Sequence, residues 1–296
     1  MYRSDWRREG IGFLFASPWW IGFLLFTVYP LISALYYSLT SYDLLRPAVW
    51  VGLANYREIF TTDLTFRLVM KNTLFWVGLS APLGVISAFL MAYMLNTRIK
   101  GRSLFRAIFF FPSIVPVVVT AMVWQFLLNV QYGAINASLQ ALHLPVIPFL
   151  SSPDLVKPSL ILIHIWAQGT AMVIFLATLQ DVPRSLYEAA TVDGANEGQK
   201  LLHITIPMCS PVILFNLVMA FISGFQYFTL PWLLTQGGPN RASEFISVYI
   251  YRNAFSFLNM GKASALAWLL FLVIITFTFI LFKGSGRFVF YSGESQ

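Results

Sequence analysis

Six long apolar stretches without Asp, Glu, Lys or Arg constrain the fold of this chain more than any other feature of its sequence. A helix needs about 20 apolar residues to cross a bilayer, and helices are required because backbone groups in lipid must be hydrogen-bonded within the protein. We therefore predict an all-α, polytopic membrane protein with six transmembrane helices in a single domain, residues 1–296. The stretches cover residues 12–36, 72–95, 107–128, 159–179, 208–229 and 263–282. Prolines at 18, 30, 82, 112, 116 and 211 predict kinks in them.

The composition supports this fold class. Charged residues make up 10% of the chain and hydrophobic residues 58%, whereas soluble domains have about 25% and 45–50%. A formal charge of +7 can indicate nucleic-acid binding, but here the basic residues flank the spans and set topology. We expect the chain to lie in a lipid bilayer and not to bind nucleic acid. The single Cys209 excludes an intrachain disulfide, and the scattered His143, His164 and His203 predict no metal site.

The distribution of Lys and Arg predicts the orientation. Segments 1–11, 96–106, 180–207 and 283–296 hold 11 of the 19 basic residues in 64 positions, and segments 37–71, 129–158 and 230–262 hold 8 in 98. Because segments rich in Lys and Arg stay in the cytoplasm, we expect both termini and segment 180–207 there. The shortest segment carries Arg98, Lys100, Arg102 and Arg106. The 12–36 stretch is too long for the apolar region of a signal peptide, so we interpret it as a retained first span.

A charged, helix-forming island, residues 181–207, separates the fourth and fifth spans. Ser185 and Glu188 have the S-x-x-E spacing of a helix-capping box, which predicts a helix that starts near Leu186. Gly194 predicts the end of this helix, because glycine adopts a positive φ without a Cβ clash.

The second half of the island predicts another helix. Asn196 with Gln199 can cap a helix that runs to about Thr205, and Pro207 precedes the fifth span. The island is thus expected to form a helix, a glycine turn and a helix. From the pattern alone, an amphipathic helix that lies on the membrane surface is an alternative.

The island also resembles a known motif, the EAA loop of permease subunits of ATP-driven (ABC) importers. In that family the loop is a coupling helix that inserts into a cleft of the ATPase subunit. The resemblance implies a polar contact by Glu188, close approach at Ala189 and Ala190, and a turn at Gly194. The residues that carry it are Glu188, Ala189, Ala190, Asp193, Gly194 and Ala195, followed by Ile204, Ile206 and Pro207.

Other segments extend the resemblance over about residues 10–283. Residues 52–56, 72–73, 234–239 and 249–255 are similar to maltose-type sugar-importer permeases, especially to shorter members such as the lactose and glycerol-3-phosphate permeases. The family implies a heterodimer with a second homologous permease subunit, two copies of an ABC ATPase subunit and an extracytoplasmic solute-binding protein. It also implies a prokaryotic plasma (inner) membrane, and a sugar or a glycerol-phosphate-type solute as cargo.

The chain itself is expected to be a transporter subunit and not an enzyme. The P-loop pattern G-x-x-x-x-G-K-[ST] does not occur in the sequence, so ATP and Mg would be used by the partner ATPase and no cofactor would bind to this chain. A secondary transporter driven by an ion gradient is disfavoured because the six stretches contain no acidic residue. An integral membrane enzyme is disfavoured because no catalytic set of residues is evident.

Polar and aromatic residues of spans four and five are candidates for the translocation pathway. Such side chains suit a neutral sugar, but they also hold transmembrane helices together by hydrogen bonds, and both interpretations stay open. In the resembled family, substrate contacts come partly from positions that correspond to Gly224 and Tyr227. We therefore expect Tyr227 to face the cavity between the two permeases, with Gln226 at its edge. The candidates are Trp166, Gln168, Thr170, Asn216, Ser223, Gly224, Gln226 and Tyr227.

Overall fold

A computed structural model describes residues 6–97 and 100–286, and it is built almost entirely from helices. The helices are α1 (Trp6–Phe23), α2 (Tyr29–Ser38), α3 (Ala54–Thr61), α4 (Leu64–Asn96), α5 (Arg102–Ile114), α6 (Val117–Leu127), α7 (Ala134–Ala141), α8 (Val156–Trp166), α9 (Gly169–Asp181), α10 (Arg184–Val192), α11 (Glu197–Lys200), α12 (Ile206–Phe225), α13 (Thr229–Thr235), α14 (Ile246–Tyr251) and α15 (Met260–Ser285). Strands β1 (Thr40–Ser41) and β2 (Val49–Trp50) form one short antiparallel pair. The predicted all-α class is confirmed, while Arg98 of the basic segment lies outside the described residues.

Within residues 6–97 and 100–286, four helical regions are long and apolar enough to cross a membrane, and two bent helix pairs bring the number to six if each pair is one span. The continuous regions are Gly12–Ser38, Leu64–Asn96, Glu197–Phe225 and Met260–Ser285. The pair α5–α6 bends by 102° at the expected Pro116, because the residue before a proline avoids the helical conformation and Val115 is extended. The pair α8–α9 bends by 46° at a break without proline, which the sequence did not predict.

Several helix ends differ from the predicted bounds. The second span begins at Leu64 and not at residue 72. The fifth is continuous with the second helix of the island, so the helical region extends from Glu197 to Phe225. Gln226 and Tyr227 therefore lie past the end of the helix and not within it.

Two prolines that could stop a helix each follow a π-helical turn. The turns are Leu24–Val28, which precedes Pro30, and Leu201–Thr205, which precedes Pro207. Proline lacks an N–H group and its ring clashes with the preceding turn, whereas a π turn closes an i→i+5 hydrogen bond and widens the helix locally. The helix therefore continues through both sites.

The chain divides into two compact units, which are described separately. The first contains the residues up to Asp63 together with Ile250–Phe271. In it, Lys262 Nζ lies 2.8 Å from Glu58 Oε1 and 2.9 Å from Asp63 Oδ2. Asn55 Nδ2 donates to the backbone oxygens of Ser38 and Thr40, each at 2.9 Å. These polar contacts hold α3 to the end of α2 and to the first turn of α15.

The second unit contains Leu64–Tyr249 and the chain from Leu272 onward, and α4 is its central helix. One face of α4 packs against α9 and α12, with Ala88, Ala92 and Leu95 almost fully buried against Phe175 and Cys209. Small side chains permit close helix approach, which drives association in lipid where the hydrophobic effect does not. Tyr187 of α10 also packs against this cluster.

Candidate functional site

The first helix of the island is α10, which begins at Arg184, earlier than expected. Its N-cap is Pro183, in an extended conformation with φ −60° and ψ 128°, and no side chain caps the helix. The predicted capping box of Ser185 and Glu188 is therefore wrong, because Ser185 already lies inside the first helical turn. Glu188 is left exposed on the helix surface.

The glycine turn is confirmed. Gly194 has φ +82°, and its N–H donates to Thr191 O at 3.1 Å while the N–H of Ala195 donates to Ala190 O at 2.9 Å. No atom lies within 4 Å of the position that a Cβ on Gly194 would take. The requirement for glycine therefore comes from the backbone conformation and not from lack of space.

The second helix of the island begins with the predicted capping box. Asn196 Oδ1 accepts from the Gln199 N–H at 2.9 Å, and Gln199 Oε1 accepts from the Asn196 N–H at 2.8 Å. The helix then runs through the π turn directly into α12. The island is thus attached to the fifth span without a break.

A contact that the sequence did not reveal joins the two helices of the island. Tyr187 Oη and Thr205 Oγ1 are 2.9 Å apart, and Thr205 is almost fully buried. Tyr187 also packs on the core between α4 and α9, as do Leu201 and Ile204. Because one side of α10 is fixed in this way, its other side is presented outward.

The outward surface contains most of the residues that the motif singled out. Glu188, Ala189, Asp193 and Gly194 are exposed, whereas Ala190 and Ala195 are half-buried. The apolar Val192 is 87% exposed and was missed in the sequence analysis, although its place between the two halves of the motif was a usable signal.

The span-four candidates lie around the break between α8 and α9. Trp166 is 39% exposed and meets Trp124 edge to face, with ring centroids 5.5 Å apart. Gln168 Nε2 donates to His164 O at 3.0 Å and lies 3.0 Å from His164 Nε2, so its amide fills the break. Thr170 is exposed on the first turn of α9.

The span-five candidates divide between packing and exposed positions. Asn216 is buried and donates to Val212 O at 2.9 Å. Gly224 is buried, and a Cβ there would lie 3.4 Å from Val77 Cγ2. Ser223 is exposed, and its hydroxyl donates to the backbone oxygen of Met219 in the same helix at 2.8 Å. Asn216 and Gly224 therefore have roles in packing within this chain.

Past the end of α12, Gln226 is exposed and Tyr227 is half-buried. The ring of Tyr227 stacks on that of Trp76, with centroids 4.2 Å apart and planes 10° from parallel. Neither the Tyr227 hydroxyl nor Trp76 Nε1 has a hydrogen-bond partner in the described part of the chain. Of the adjacent residues Gln226 and Tyr227, Gln226 has the more exposed side chain.

Comparison with known proteins gives consistent matches. Residues 80–289 match the family described as "Binding-protein-dependent transport system inner membrane component". The probable ABC transporter permease protein YesP of Bacillus subtilis is 39% identical over 295 residues, which is 98% of this chain and 95% of that protein. The trehalose/maltose transport system permease protein MalF of Thermococcus litoralis is 31% identical over 97% of each chain. A chain in the crystal structure of a bacterial alginate ABC transporter, in complex with an alginate pentasaccharide-bound periplasmic protein, superposes with a TM-score of 0.85 at 26% identity and 96% coverage of both chains.

Proposed function

Because this chain belongs to the family of binding-protein-dependent transport system inner membrane components, we propose that it forms half of the pathway by which an ABC importer moves a sugar across the inner membrane. The observation that carries this is the near-complete match, over 97% of both chains, to a trehalose/maltose permease. The family consists of ABC permease subunits, which are transporter components, and ATP and Mg would be used by a separate subunit.

The coupling role falls to the island, residues 181–207. Support comes from its exposed outer surface at Glu188, Ala189, Asp193 and Gly194, and from its inner surface, which is fixed by the Tyr187–Thr205 contact. A segment that is anchored on one side and exposed on the other can receive a partner without rearranging. The ATPase would contact Glu188 and Val192 and approach closely at Ala189.

The full assembly that we propose contains a second homologous permease, two copies of an ABC ATPase and an extracytoplasmic solute-binding protein. A solute-binding partner is favoured because the alginate transporter was solved with a periplasmic protein. Both termini and the island lie in the cytoplasm in this proposal, and residues 1–296 act as one transmembrane domain. The exposed Trp166, Thr170, Ser223 and Gln226 are the side chains best placed to line a pathway shared with the second permease.

Isolation of the assembly tests this function. The tagged chain should co-purify from its native membrane with a second permease and an ATPase, and proteoliposomes of the complex with its binding protein should accumulate one of trehalose, maltose or alginate oligosaccharides when ATP is enclosed. Uptake that proceeds without ATP and stops when a proton or sodium gradient is collapsed would show a secondary transporter instead.

A further inference from the structure

A polar cavity of about 510 Å³ opens beside the island, at the ends of α4 and α9. Its polar lining consists of Asn96, Arg102, Gln180, Arg184 and Tyr187. All of these residues belong to the second compact unit. No function described above uses this cavity, and the two arginines in it do not belong to the resembled motif.

The guanidinium group of Arg102 is the first sign that the cavity holds a ligand. Its Nε and Nη2 atoms are buried, and neither has a hydrogen-bond partner in the described part of the chain. A buried donor without a partner is unfavourable, and more so when the group is charged. Arginine is also never neutral in proteins, so an acceptor that approaches this guanidinium group from the cavity would be favoured.

The backbone around the cavity adds independent attraction for an anion. Arg102 is the first residue of α5 and Arg184 the first residue of α10, so two helix N-termini meet there. Neither helix has a side-chain cap or an acidic residue in its first turn. Free N–H groups and the positive end of the helix dipole make such termini anion sites. Asp181, three residues before Arg184, is exposed and is not part of the lining.

Two further basic residues lie close to Arg102 in the sequence. Lys100 and Arg106 flank Arg102, and both are exposed and outside the cavity lining. Leu179 and Val182 supply an apolar wall, and the apolar parts of α4 and α9 end at this level. Lipid headgroups lie where apolar spans end, and basic pockets at this level bind anionic headgroups.

We propose that this cavity is a binding site for a phosphate group, held by Arg102 and Arg184 and by the N-termini of α5 and α10. A phosphate offers several acceptor oxygens in different directions, which suits donors that converge from two helices and two guanidinium groups. The source is either the headgroup of an anionic lipid or a phosphate in solution. The occupied site would join the first turn of α10 to the first turn of α5.

The test uses the full chain in its purified complex, stripped of lipid by detergent and examined by native mass spectrometry. Phosphatidylglycerol, phosphatidylcholine and inorganic phosphate are added separately to the wild type, to Arg102→Gln/Arg184→Gln and to Arg106→Gln. Arg106 is the matched control because it is an exposed arginine on the same helix, outside the cavity. Arg184→Gln alone, at an exposed position, serves if the double variant does not fold.

Retention of phosphatidylglycerol should fall about tenfold or more for each arginine lost, since hydrogen bonds to charged groups contribute about 1.5–3 kcal/mol each, and the control should match the wild type. Binding of phosphatidylglycerol but not inorganic phosphate identifies the lipid as the source, and the reverse identifies free phosphate. Equal retention in all three proteins, or no binding of any probe, would overturn the proposal. So would a double variant that keeps its lipid and loses the ATPase, because the arginines would then bind a protein carboxylate.

Discussion

Gly194 offers the sharpest test of the coupling role, because its requirement comes from the backbone alone. Its φ is +82°, and a Cβ placed on it would meet nothing within 4 Å. Gly194→Ala therefore introduces strain without a clash. The cost of a left-handed conformation for a residue with a Cβ is about 1–2 kcal/mol. The ratio of molecules with the native turn to molecules with another conformation there would fall by about fivefold or more.

Gly52 is the matched control. It also has a positive φ, +58°, and open space around its Cβ position, but it lies in the loop before α3, far along the chain from the island. Gly52→Ala should incur a similar cost at a site that the ATPase does not touch. Gly194→Asn should fall between the wild type and Gly194→Ala, because asparagine tolerates the left-handed region better than alanine does.

The assay measures how much ATPase subunit stays bound to the tagged chain, and how fast the purified complex hydrolyses ATP. Gly194→Ala should retain about fivefold less ATPase at limiting concentration, Gly194→Asn should lose less, and Gly52→Ala should lose nothing. Equal losses in Gly52→Ala and Gly194→Ala would show a general folding defect. Wild-type retention in Gly194→Ala would refute the reasoning that the shape of this turn positions the contact surface.

Three further predictions address contact, order and orientation. Glu188→Lys should lower ATPase retention about tenfold, because the partner group in the ATPase would lose its acceptor at a cost of about 1–3 kcal/mol, and unchanged retention would remove Glu188 from the contact. Tyr187→Phe removes the 2.9 Å hydrogen bond to Thr205 at a cost of about 1 kcal/mol. Amide hydrogen exchange over residues 184–200 should therefore accelerate, and unchanged exchange would contradict the anchoring role of Tyr187. Cys209 is buried and should give little background labelling. On intact cells, Ser151→Cys should therefore react with an impermeant thiol reagent and Ser103→Cys should not. The opposite labelling would reverse the topology.

The spans could be predicted from the sequence because the bilayer imposes a simple requirement. A stretch free of charge and about 20 residues long has few other places to lie, and each predicted stretch coincides with a helix or a helix pair. The turn at Gly194 and the capping box at Asn196 were also predictable, since both depend on residues adjacent in sequence. Local chemistry was sufficient in those places.

Other features depend on local geometry that a residue pattern does not encode, or on contacts between distant residues. The break after Trp166 is filled by the Gln168 amide on His164, which a hydropathy pattern does not register. Ser185 with Glu188 matched a capping pattern, but the helix begins two residues earlier, with Pro183 at the N-cap position. The placement of Tyr227 against Trp76 joins residues about 150 positions apart, so no local pattern contains it.

The π turn at Leu201–Thr205 has a consequence for how this chain tolerates insertions. The continuous helix from Glu197 to Phe225 has 29 residues, so it is a rod of about 43 Å at 1.5 Å per residue. One residue more or fewer in the turn would rotate the island about the rod axis by about 100° relative to the span. Every contact residue would still be present, yet the outer surface of α10 would point elsewhere. The orientation of the island about the rod axis is thus set by the number of residues between Asn196 and Pro207. An insertion or deletion there should be more harmful than a substitution of the exposed Leu202 or His203 in the same turn.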